Sequence, residues 1–442
     1  MTRPWRVRLH TLGCRLNEAE LEAWAEAFAR AGLGLAGEDE PADLVVVNTC
    51  AVTHEAARKS RQILRRGQRL NPSARLVVSG CLATLEAQTL ARESGVDLVV
   101  ANTDKDRLVE IALEVLAIPS RPELAVTDPG GLLFRRGRQR AFVKIQDGCR
   151  YQCTFCITTQ ARGAERSRPA DEVVAAVSRL QATGIQEVVL TGVHLGGYGR
   201  DGSDTDGIDL TGLVARLLAE TEIPRLRLGS LEPWDLPEPF WGLFADPRLM
   251  PHLHLPLQSG SDTVLKSMAR RCKTAEFARL LETGRAAVPG LNVTTDIIVG
   301  FPGETAQDWQ QTLDFAETMG FGDIHVFAYS PRAGTLAAGL PGRVAAEVRQ
   351  ARCLELQSLA TRLRQQLLRD QVGQRVQVLC EGAGEPAAGE VRLGYTPNYL
   401  PVRLRPERPL ADGRLLEVRL TGVDSDGSAL VGEVLLDPGR SG

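Results

Sequence analysis

Lysine is nearly missing from this chain. Of its 52 basic residues only five are lysines (Lys59, Lys105, Lys144, Lys266 and Lys273), so arginine carries almost all the positive charge. Genomic base composition alone can produce such a bias. No run of about twenty apolar residues occurs, so no transmembrane helix and no membrane partner are indicated. The opening MTRPWRVRLHTLGC lacks a signal-peptide pattern and reads as a strand, and a cytoplasmic location follows by default. The net charge of −3 removes any bulk electrostatic case for nucleic acid. Internal repeats and low-complexity tracts are also missing. At 442 residues and 43% hydrophobic content, the chain is long enough for two or three ordinary domains with real cores.

Cysteine is better represented. Nine are present, and disulfides are not expected in a reducing compartment. Cys149, Cys153 and Cys156 stand at C-x3-C-x2-C spacing, just after the strand-like Phe142–Ile145. Three thiolates on one short loop can hold three irons of a 4Fe–4S cube, leaving one iron open to a small molecule. S-adenosylmethionine (SAM) can chelate such an iron through its amino and carboxylate groups. Structural zinc wants four closed ligands, and no fourth Cys or His follows closely; His194 is far downstream. Zinc and three unligated buried thiols remain the competing readings. Cys272, Cys353 and Cys380 stand alone and read as small packed or surface thiols.

The first ~125 residues alternate strand and helix, the pattern of a parallel α/β sheet. Strands are expected at Val7–Thr11, Leu44–Val47, Leu76–Val78 and Leu98–Val100. Helices are expected over Leu21–Ala31, closed by Gly32, and over about 55–70, stopping before Asn71-Pro72. Cys14, Cys50 and Cys81 each follow one of these strands and precede a helix. In a parallel sheet all strand C-termini share one edge, where ligands bind. The three thiolates therefore converge on one rim and could hold a second cluster, the alternative being coincidence. His10 and His54 lie near that rim as polar strand or loop residues.

Residues 127–140, with Asp128-Pro129-Gly130-Gly131, read as a linker between an N-terminal domain (1–126) and a second βα series (141–371). Six strands are expected there, at Phe142–Ile145, Val188–Thr191, Leu226–Leu228, Leu253–Leu257, Val293–Val299 and Ile324–Phe327. Six such units give a partial (β/α) barrel with its site at the strand C-terminal ends. The Cys149 loop, Gly192 and His194, Ser230 and Glu232, Gln258, and Gly300–Glu304 all fall at that face. A long helix is expected over about 345–370. Five short strands then follow in 372–442, reading as a small all-β barrel of OB-like type, a shape often used for RNA. Three basic groups can neutralise phosphates or are merely solvated: Arg58, Lys59, Arg61, Arg65, Arg66 and Arg69; Arg135–Arg140; and Arg162, Arg166 and Arg168.

Taken together, these parts resemble the methylthiotransferases, a radical-SAM family that adds methylthio groups to tRNA or to a ribosomal protein. The resemblance runs through Thr11–Asn17, Asn48–Thr53, Ser79–Cys81, Gly148–Cys156, Ala161–Gly163, Glu165–Pro169, Leu255–Ser261 and Thr295–Glu304. Gly394–Tyr399 is similar to the family's TRAM domain, an RNA-binding β-barrel. Thr11–Asn17, Arg58–Gln62 and Thr191–Gly196 most resemble the branch that acts on threonylcarbamoyladenosine beside the tRNA anticodon. One stretch departs from the pattern: Ile157-Thr158-Thr159-Gln160 stands where many members carry a Pro-aromatic pair, so no contact is carried over there.

The resemblance implies two 4Fe–4S clusters and SAM. Cys149, Cys153 and Cys156 would ligate the cluster that donates an electron to SAM, and Cys14, Cys50 and Cys81 the one that holds transferable sulfur. The adenosine C2–H bond is strong and not acidic, so the cofactor must carry that step. SAM contacts are expected at Phe155, Gly192, Gln258, Asp296, Gly300 and Glu304. Expected partners are a tRNA anticodon stem-loop and an electron donor of flavodoxin or ferredoxin type, with the sulfur donor unknown. Two other substrates are isopentenyladenosine tRNA and a ribosomal protein. A reading of another class is an Fe–S RNA-binding protein without turnover, against which two open-iron clusters weigh.

Overall fold

The computed structural model describes residues 3–37, 40–92, 95–120, 123, 139–203, 205, 207–381, 391–405 and 415–435. Strands β1 (Arg6–Thr11), β2 (Gly34–Leu35), β3 (Leu44–Thr49), β4 (Arg75–Gly80) and β5 (Leu98–Val100) form one parallel sheet in the order β2-β1-β3-β4-β5. β3 is buried along its whole length, as a central strand covered on both faces must be. Helix α1 (Arg15–Arg30) seats Leu21, Trp24 and Phe28 on one face of the sheet. Helix α2 (His54–Leu70) seats Ala57 and Leu64 on the other. Thr53 caps α2 by accepting a bond from the Ala56 N–H at 3.1 Å. Cys81 opens a short helix, α3 (Cys81–Leu85).

The second unit has the six expected strands. β6 (Arg140–Lys144) comes first, and the two-residue strands β7 (Gln146–Asp147) and β8 (Arg166–Ser167) pair antiparallel around the Cys149 loop. β9 (Glu187–Thr191) and β10 (Arg225–Leu228) extend β6 in parallel. β11 (His252–His254), β12 (Asn292–Val299) and β13 (Asp323–Ala328) form a second parallel group. The bridge Ser230–His254 joins the two groups. Of Leu255–Leu257, expected to extend β11, Leu255 still bonds the β12 backbone, its N–H donating to the Thr294 carbonyl at 2.9 Å; regular pairing ends at His254 and resumes as the isolated bridge Gln258–Ile297. Among the described residues β6 and β13 do not pair, so the barrel is open on that side.

The N-terminal unit covers the opening from both edges. α1 packs on β6. Beyond β13, Pro331 accepts a bond from His54 Nε2 at 2.8 Å, and Arg332 donates to the Ala51 carbonyl. At the centre of the junction Arg162 is only 2% exposed. Its Nη1 reaches Glu20 at 3.0 Å and Asp147 at 2.9 Å, and its Nη2 donates to Asn17 at 2.8 Å. Lys105 Nζ reaches Glu20 at 2.5 Å. This corrects the expectation that Arg162 belongs to a phosphate-binding group: it is buried and fully engaged. Burial alone would raise the Glu20 pKa, but Lys105, Arg162 and Lys144 hold that carboxylate well below the usual range.

The helix Ala346–Asp370 leads into β14 (Arg375–Glu381), β15 (Arg392–Tyr395), β16 (Pro401–Leu404), β17 (Leu415–Val423) and β18 (Leu430–Val434). They close into a barrel in the order β14-β15-β16-β18-β17 around Val378, Val402, Leu404, Val418, Leu420 and Leu430. Cys380 packs in that core, while Cys272 and Cys353 are half-buried at the edge of the larger one. No helix among the described residues is long and apolar enough to cross a membrane.

Most of the expected linker, up to residue 138, lies outside the described residues, as do Arg135, Arg136 and Arg138. Arg140 is no linker residue. It opens β6, is buried, and pairs with Glu187, with Glu381 at 3.0 Å and with Tyr399 Oη at 3.2 Å. Arg140, Glu187 and Arg225 each begin a strand of the large barrel, so the small barrel docks at its N-terminal end. Arg225 donates to the carbonyls of Tyr395 (3.1 Å) and Gln377 (2.6 Å), and Arg227 to that of Pro397 (3.1 Å). Glu187, 0% exposed, takes a forked contact from Arg227 at 3.1 Å on both arms.

Burial works against the Glu187 carboxylate, but Arg227 and Arg140 hold it below the usual range. A carboxyl with a depressed folded-state pKa contributes stability above its unfolded value, about 4.3, and loses it as pH falls through the folded value. Glu187→Gln leaves three buried guanidiniums short of their carboxylate and should cost about 3–5 kcal/mol at neutral pH. Chemical denaturation at pH 7 checks the cost. The variant's stability should also fall less steeply than wild type below about pH 4.3.

Candidate active site

Three loops carry Cys14, Cys50 and Cys81, and one set of side chains holds all three. Asn17 Nδ2 donates to the carbonyls of Leu12 (2.6 Å) and Thr49 (3.3 Å), tying the first loop to the second. Asn48 Nδ2 donates to Glu20 at 3.0 Å and to the Asn17 carbonyl at 3.1 Å. Thr49 Oγ1 donates to the Ser79 carbonyl at 2.6 Å and accepts from the Ala83 N–H at 3.2 Å, fixing the third loop. Ser60 brackets Cys50, accepting from its N–H and donating to its carbonyl, both at 3.1 Å.

Two glycines are required here. Gly13 has φ +107°, and a Cβ there would sit 2.8 Å from Cys50 Sγ; Gly80 has φ +102°, and a Cβ would sit 2.2 Å from the Thr49 carbonyl oxygen. Only glycine lets these loops approach so closely.

The second triad is laced as tightly. The Tyr151 N–H donates to Cys149 Sγ and the Thr158 N–H to Cys156 Sγ, both at 3.4 Å. Thr154 is fixed to the far side of the barrel through Met268 (3.1 Å), Ser267 (2.9 Å) and Ala337 (2.8 Å). Arg270 makes a forked pair with Glu232 at 3.0 and 2.6 Å, and its Nη1 lies 4.0 Å from Cys153 Sγ. Each triad thus has a guanidinium beside it, Arg270 here and Arg162 at the other. The triads also approach each other's loops. Asn102 Nδ2 donates to the Ala161 carbonyl at 2.6 Å, and Ala161, on the helix after Cys156, packs with Cys81, Leu82 and Ala83.

Do these residues fit an iron–sulfur cluster? Tetrahedral zinc, with Zn–S near 2.3 Å, would draw its sulfurs to about 3.8 Å apart. Among the described residues, the sets of three potential ligands closing within 4.8 Å are Cys149/Glu165/His194 and His254/Asp296/His325; neither cysteine triad is that tight. Cysteine donors, N–H bonds to sulfur and an adjacent guanidinium suit a larger anionic cluster.

Sequence reasoning missed the knot behind Cys149. His194 Nδ1 bonds Glu165 at 2.6 Å, its Nε2 bonds Asp235 at 2.5 Å, and its ring lies edge-on to Tyr151 at 4.7 Å. Burial alone would lower the His194 pKa; the two carboxylates raise it. Glu165 also accepts from the Arg150 N–H at 3.0 Å, so the knot braces the residue after Cys149. The signal available was Glu165 in the Glu165–Pro169 motif.

The expected SAM contacts divide. Gln258 holds a left-handed φ of +74° at the end of the β11 segment, a strain that side-chain-bearing residues keep at functional sites. Asp296 Oδ1 bonds His325 Nδ1 at 3.0 Å and His254 Nε2 at 3.2 Å. Phe155 packs partly buried beside Met268, Phe301 and Tyr329. The other three have protein neighbours of their own. Space at Gly192 is taken by Gln146 and at Gly300 by Arg349. The Glu304 carboxylate accepts from the Gly300 N–H at 3.1 Å and pairs with Arg352 at 2.5 Å.

Burial pushes the Cys50 thiol up to about 11 and the Cys149 thiol up to about 12. These two thiols are therefore protonated at neutral pH in the metal-free protein, and a metal bound at either would displace a proton. Alkylation of Cys149 in the metal-free protein, followed by peptide mass spectrometry, should still be accelerating at pH 10. A plateau near pH 8.5, where a free cysteine titrates, would contradict the burial argument.

Two family signatures match the chain: Uncharacterized protein family UPF0004 over residues 6–101 and the Radical SAM superfamily over residues 143–316. The threonylcarbamoyladenosine tRNA methylthiotransferase MtaB of Bacillus subtilis (strain 168) is 35% identical, over 94% of this chain and 93% of that one. The tRNA-2-methylthio-N(6)-dimethylallyladenosine synthase of Anaeromyxobacter sp. (strain K) is 36% identical, over 97% and 94%. The solved structure of the radical SAM methyltransferase TsrM from Kitasatospora setae, with cobalamin and a 4Fe–4S cluster bound, matches with a TM-score of 0.57. At 16% identity over 76% of this chain and 77% of that one, it speaks for the fold alone. Radical-SAM enzymes carry a 4Fe–4S cluster and use SAM, the requirement that an open-iron cysteine triad meets. The two signatures in tandem, with relatives matched along nearly their whole length, place this enzyme in the radical-SAM methylthiotransferase family.

Proposed function

We propose that this enzyme adds a methylthio group to C2 of threonylcarbamoyladenosine beside the anticodon of tRNA. The observation that carries the chemistry is the meeting of two thiol triads at one mouth of the open barrel. When bound there, the two clusters and SAM supply the electron, the radical that takes hydrogen from C2, and the transferable sulfur. Cys149, Cys153 and Cys156 hold the first cluster, and Cys14, Cys50 and Cys81 the second. Arg270 and Arg162 offset the negative charge of the thiolates. Phe155, Gln258 and Asp296 contact SAM, framed by Gly192 and the Gly300–Glu304 turn. The covered lateral opening keeps water from the reacting carbon.

Similar proteins carry names for two different adenosines. Support for threonylcarbamoyladenosine comes from the barrel lumen, where Asp296 and His325, backed by His254 and Thr294, make a polar wall unsuited to a bare isopentenyl chain. The exposed cations of α2, Arg58, Lys59, Arg65, Arg66 and Arg69, supply phosphate contacts. Arg375 and Arg419 face each other, both exposed, across β14 and β17; like charges in register are costly unless an anion lies between them. We place the enzyme in the cytoplasm, with tRNA as partner and a flavodoxin or ferredoxin as electron donor.

The test is anaerobic. Reconstituted protein, SAM, a reductant and anticodon stem-loop RNA are incubated and the nucleosides weighed. Threonylcarbamoyladenosine should gain one methylthio group and isopentenyladenosine none; the reverse would refute the assignment. Cys153→Ala should abolish 5′-deoxyadenosine formation, whereas Cys50→Ala should keep it and yield no methylthio product, with about half the iron of wild type. Reversing Arg65, Arg66 and Arg69 to Glu should weaken RNA binding and flatten the log–log salt dependence by about two. An unchanged slope would remove α2 from the interface.

A further inference from the structure

Side chains alternate along the barrel strands, so the lumen can be read off from what the core takes. Val143, Val188, Leu190, Leu226, Leu253, Val293, Ile297 and Ile324 pack outward against the helices. Their neighbours Phe142, Arg227, His252, His254, Thr294, Asp296 and His325 therefore point inward.

One cation enters this lumen from the other domain. Arg15 follows Cys14 directly and opens α1. Its guanidinium lies 5.5 Å from the centre of the Tyr399 ring and 6.0 Å from that of Phe142, and its Nη2 donates to Tyr399 Oη at 3.2 Å. Its charge bears on both His252 and His325. Nearly every other inward-facing cation has a carboxylate: Arg140 and Arg227 have Glu187, and Lys144 has Asp106 and Asp147. Among the described residues Arg15 pairs with none.

His325 completes the arrangement. Its side chain is 53% exposed, Asp296 holds Nδ1, and the ring stacks on His254 at 5.2 Å. That leaves Nε2 for a ligand.

The chemistry of the substrate matches. On adenine, C2 and C6, the carbon that bears the N6 amine, flank the same ring nitrogen. A base whose C2 reaches sulfur held over the Cys14/Cys50/Cys81 triad would therefore bring its N6 substituent within reach of the side chains that border the triad on the lumen side, Arg15 among them. In threonylcarbamoyladenosine that substituent ends in a carboxylate.

We propose that Arg15 reads the carboxylate of the threonylcarbamoyl group and that His325 Nε2 holds a neighbouring oxygen of it. This assignment rests on the substrate reading above. An uncharged alkyl substituent would instead desolvate Arg15 without compensating it.

The test is equilibrium binding to reconstituted full-length protein without reductant, so that no turnover occurs. Four stem-loop RNAs differ only in the target adenosine: threonylcarbamoyl, its methyl ester, isopentenyl and unmodified. Wild type should prefer the threonylcarbamoyl RNA to the other three. Arg15→Gln should weaken that RNA roughly tenfold, to the level of the ester, while leaving the unmodified RNA unchanged. Arg15→Lys should keep part of the preference, and His325→Gln should lose a smaller part. In turnover, Arg15→Gln should raise KM with little change in kcat. If wild type discriminates and Arg15→Gln does so equally well, the Arg15 assignment fails and the substrate reading stands. Equal weakening of all four RNAs would make Arg15 a docking residue and also overturn the assignment. If wild type does not distinguish threonylcarbamoyl from isopentenyl RNA, the substrate reading and the assignment fall together.

Discussion

The buried ionic knot of Glu20, Lys105, Lys144, Arg162 and Asp147 is the constraint on which the catalytic geometry depends. Glu20 and Lys105 belong to the N-terminal unit and the other three to the barrel, so the pairs of Glu20 with Arg162 and Lys144 cross the junction, while Lys105 and Asp147 anchor the knot within each unit. Such a knot is a poor source of net stability, because desolvation offsets most of its Coulomb energy. Its value here is geometric. Arg162 can satisfy Glu20, Asp147 and Asn17 only in one arrangement of the two units. Asn17 and Asn48, bonded into the same knot, carry that arrangement to the loops of Cys14 and Cys50. Fixing one guanidinium therefore fixes where the two triads stand.

The charge balance of the knot also has a reason. Three cations face two buried carboxylates, with Asp106 at the exposed edge. A positive excess is costly in a buried site unless something negative lies nearby. Thiolates on a cluster would supply that charge, and Arg162 bears on Cys14, Cys50 and Cys81 alike. The junction is thus balanced for the loaded state. Binding that selects one arrangement stabilises it by mass action, so a cluster held by the N-terminal triad would also hold the junction closed.

Much of this was legible in the sequence because it depends on local pattern. Hydrophobic periodicity gives every parallel strand of the N-terminal sheet except the two-residue β2, and all six of the barrel. The position of Cys14, Cys50 and Cys81 after successive strands places them on one rim, since parallel topology leaves no other edge. What was not legible is what each arginine faces. Arg162 and Arg140 stand in basic runs that resemble Arg65 and Arg66, yet the first two are buried and paired while the last two are exposed. Their partners Glu20, Asp147 and Glu187 are separated from them by as few as fifteen and as many as 142 residues. No local pattern encodes such pairings. The histidine–carboxylate knot at His194 was hidden for the same reason, since Glu165 and Asp235 flank it from different loops.

The lumen follows from the same alternation that builds the core. A strand in a closed or nearly closed barrel shows one face to the helices and one to the interior. Filling the interior with aliphatic layers gives a rigid packed barrel. This chain instead spends its inward positions on Arg140, Glu187, Arg225, Arg227, His252, His254 and Asp296, and satisfies the lowest layer with carbonyls from the small β-barrel. The C-terminal barrel is therefore a structural part of the large one. It supplies the hydrogen-bond partners of a buried polar layer at the end of the large barrel opposite the thiol triads. Tyr399, seated on Arg140 and Arg227 and bonded to Arg15, links that layer to the residue beside Cys14.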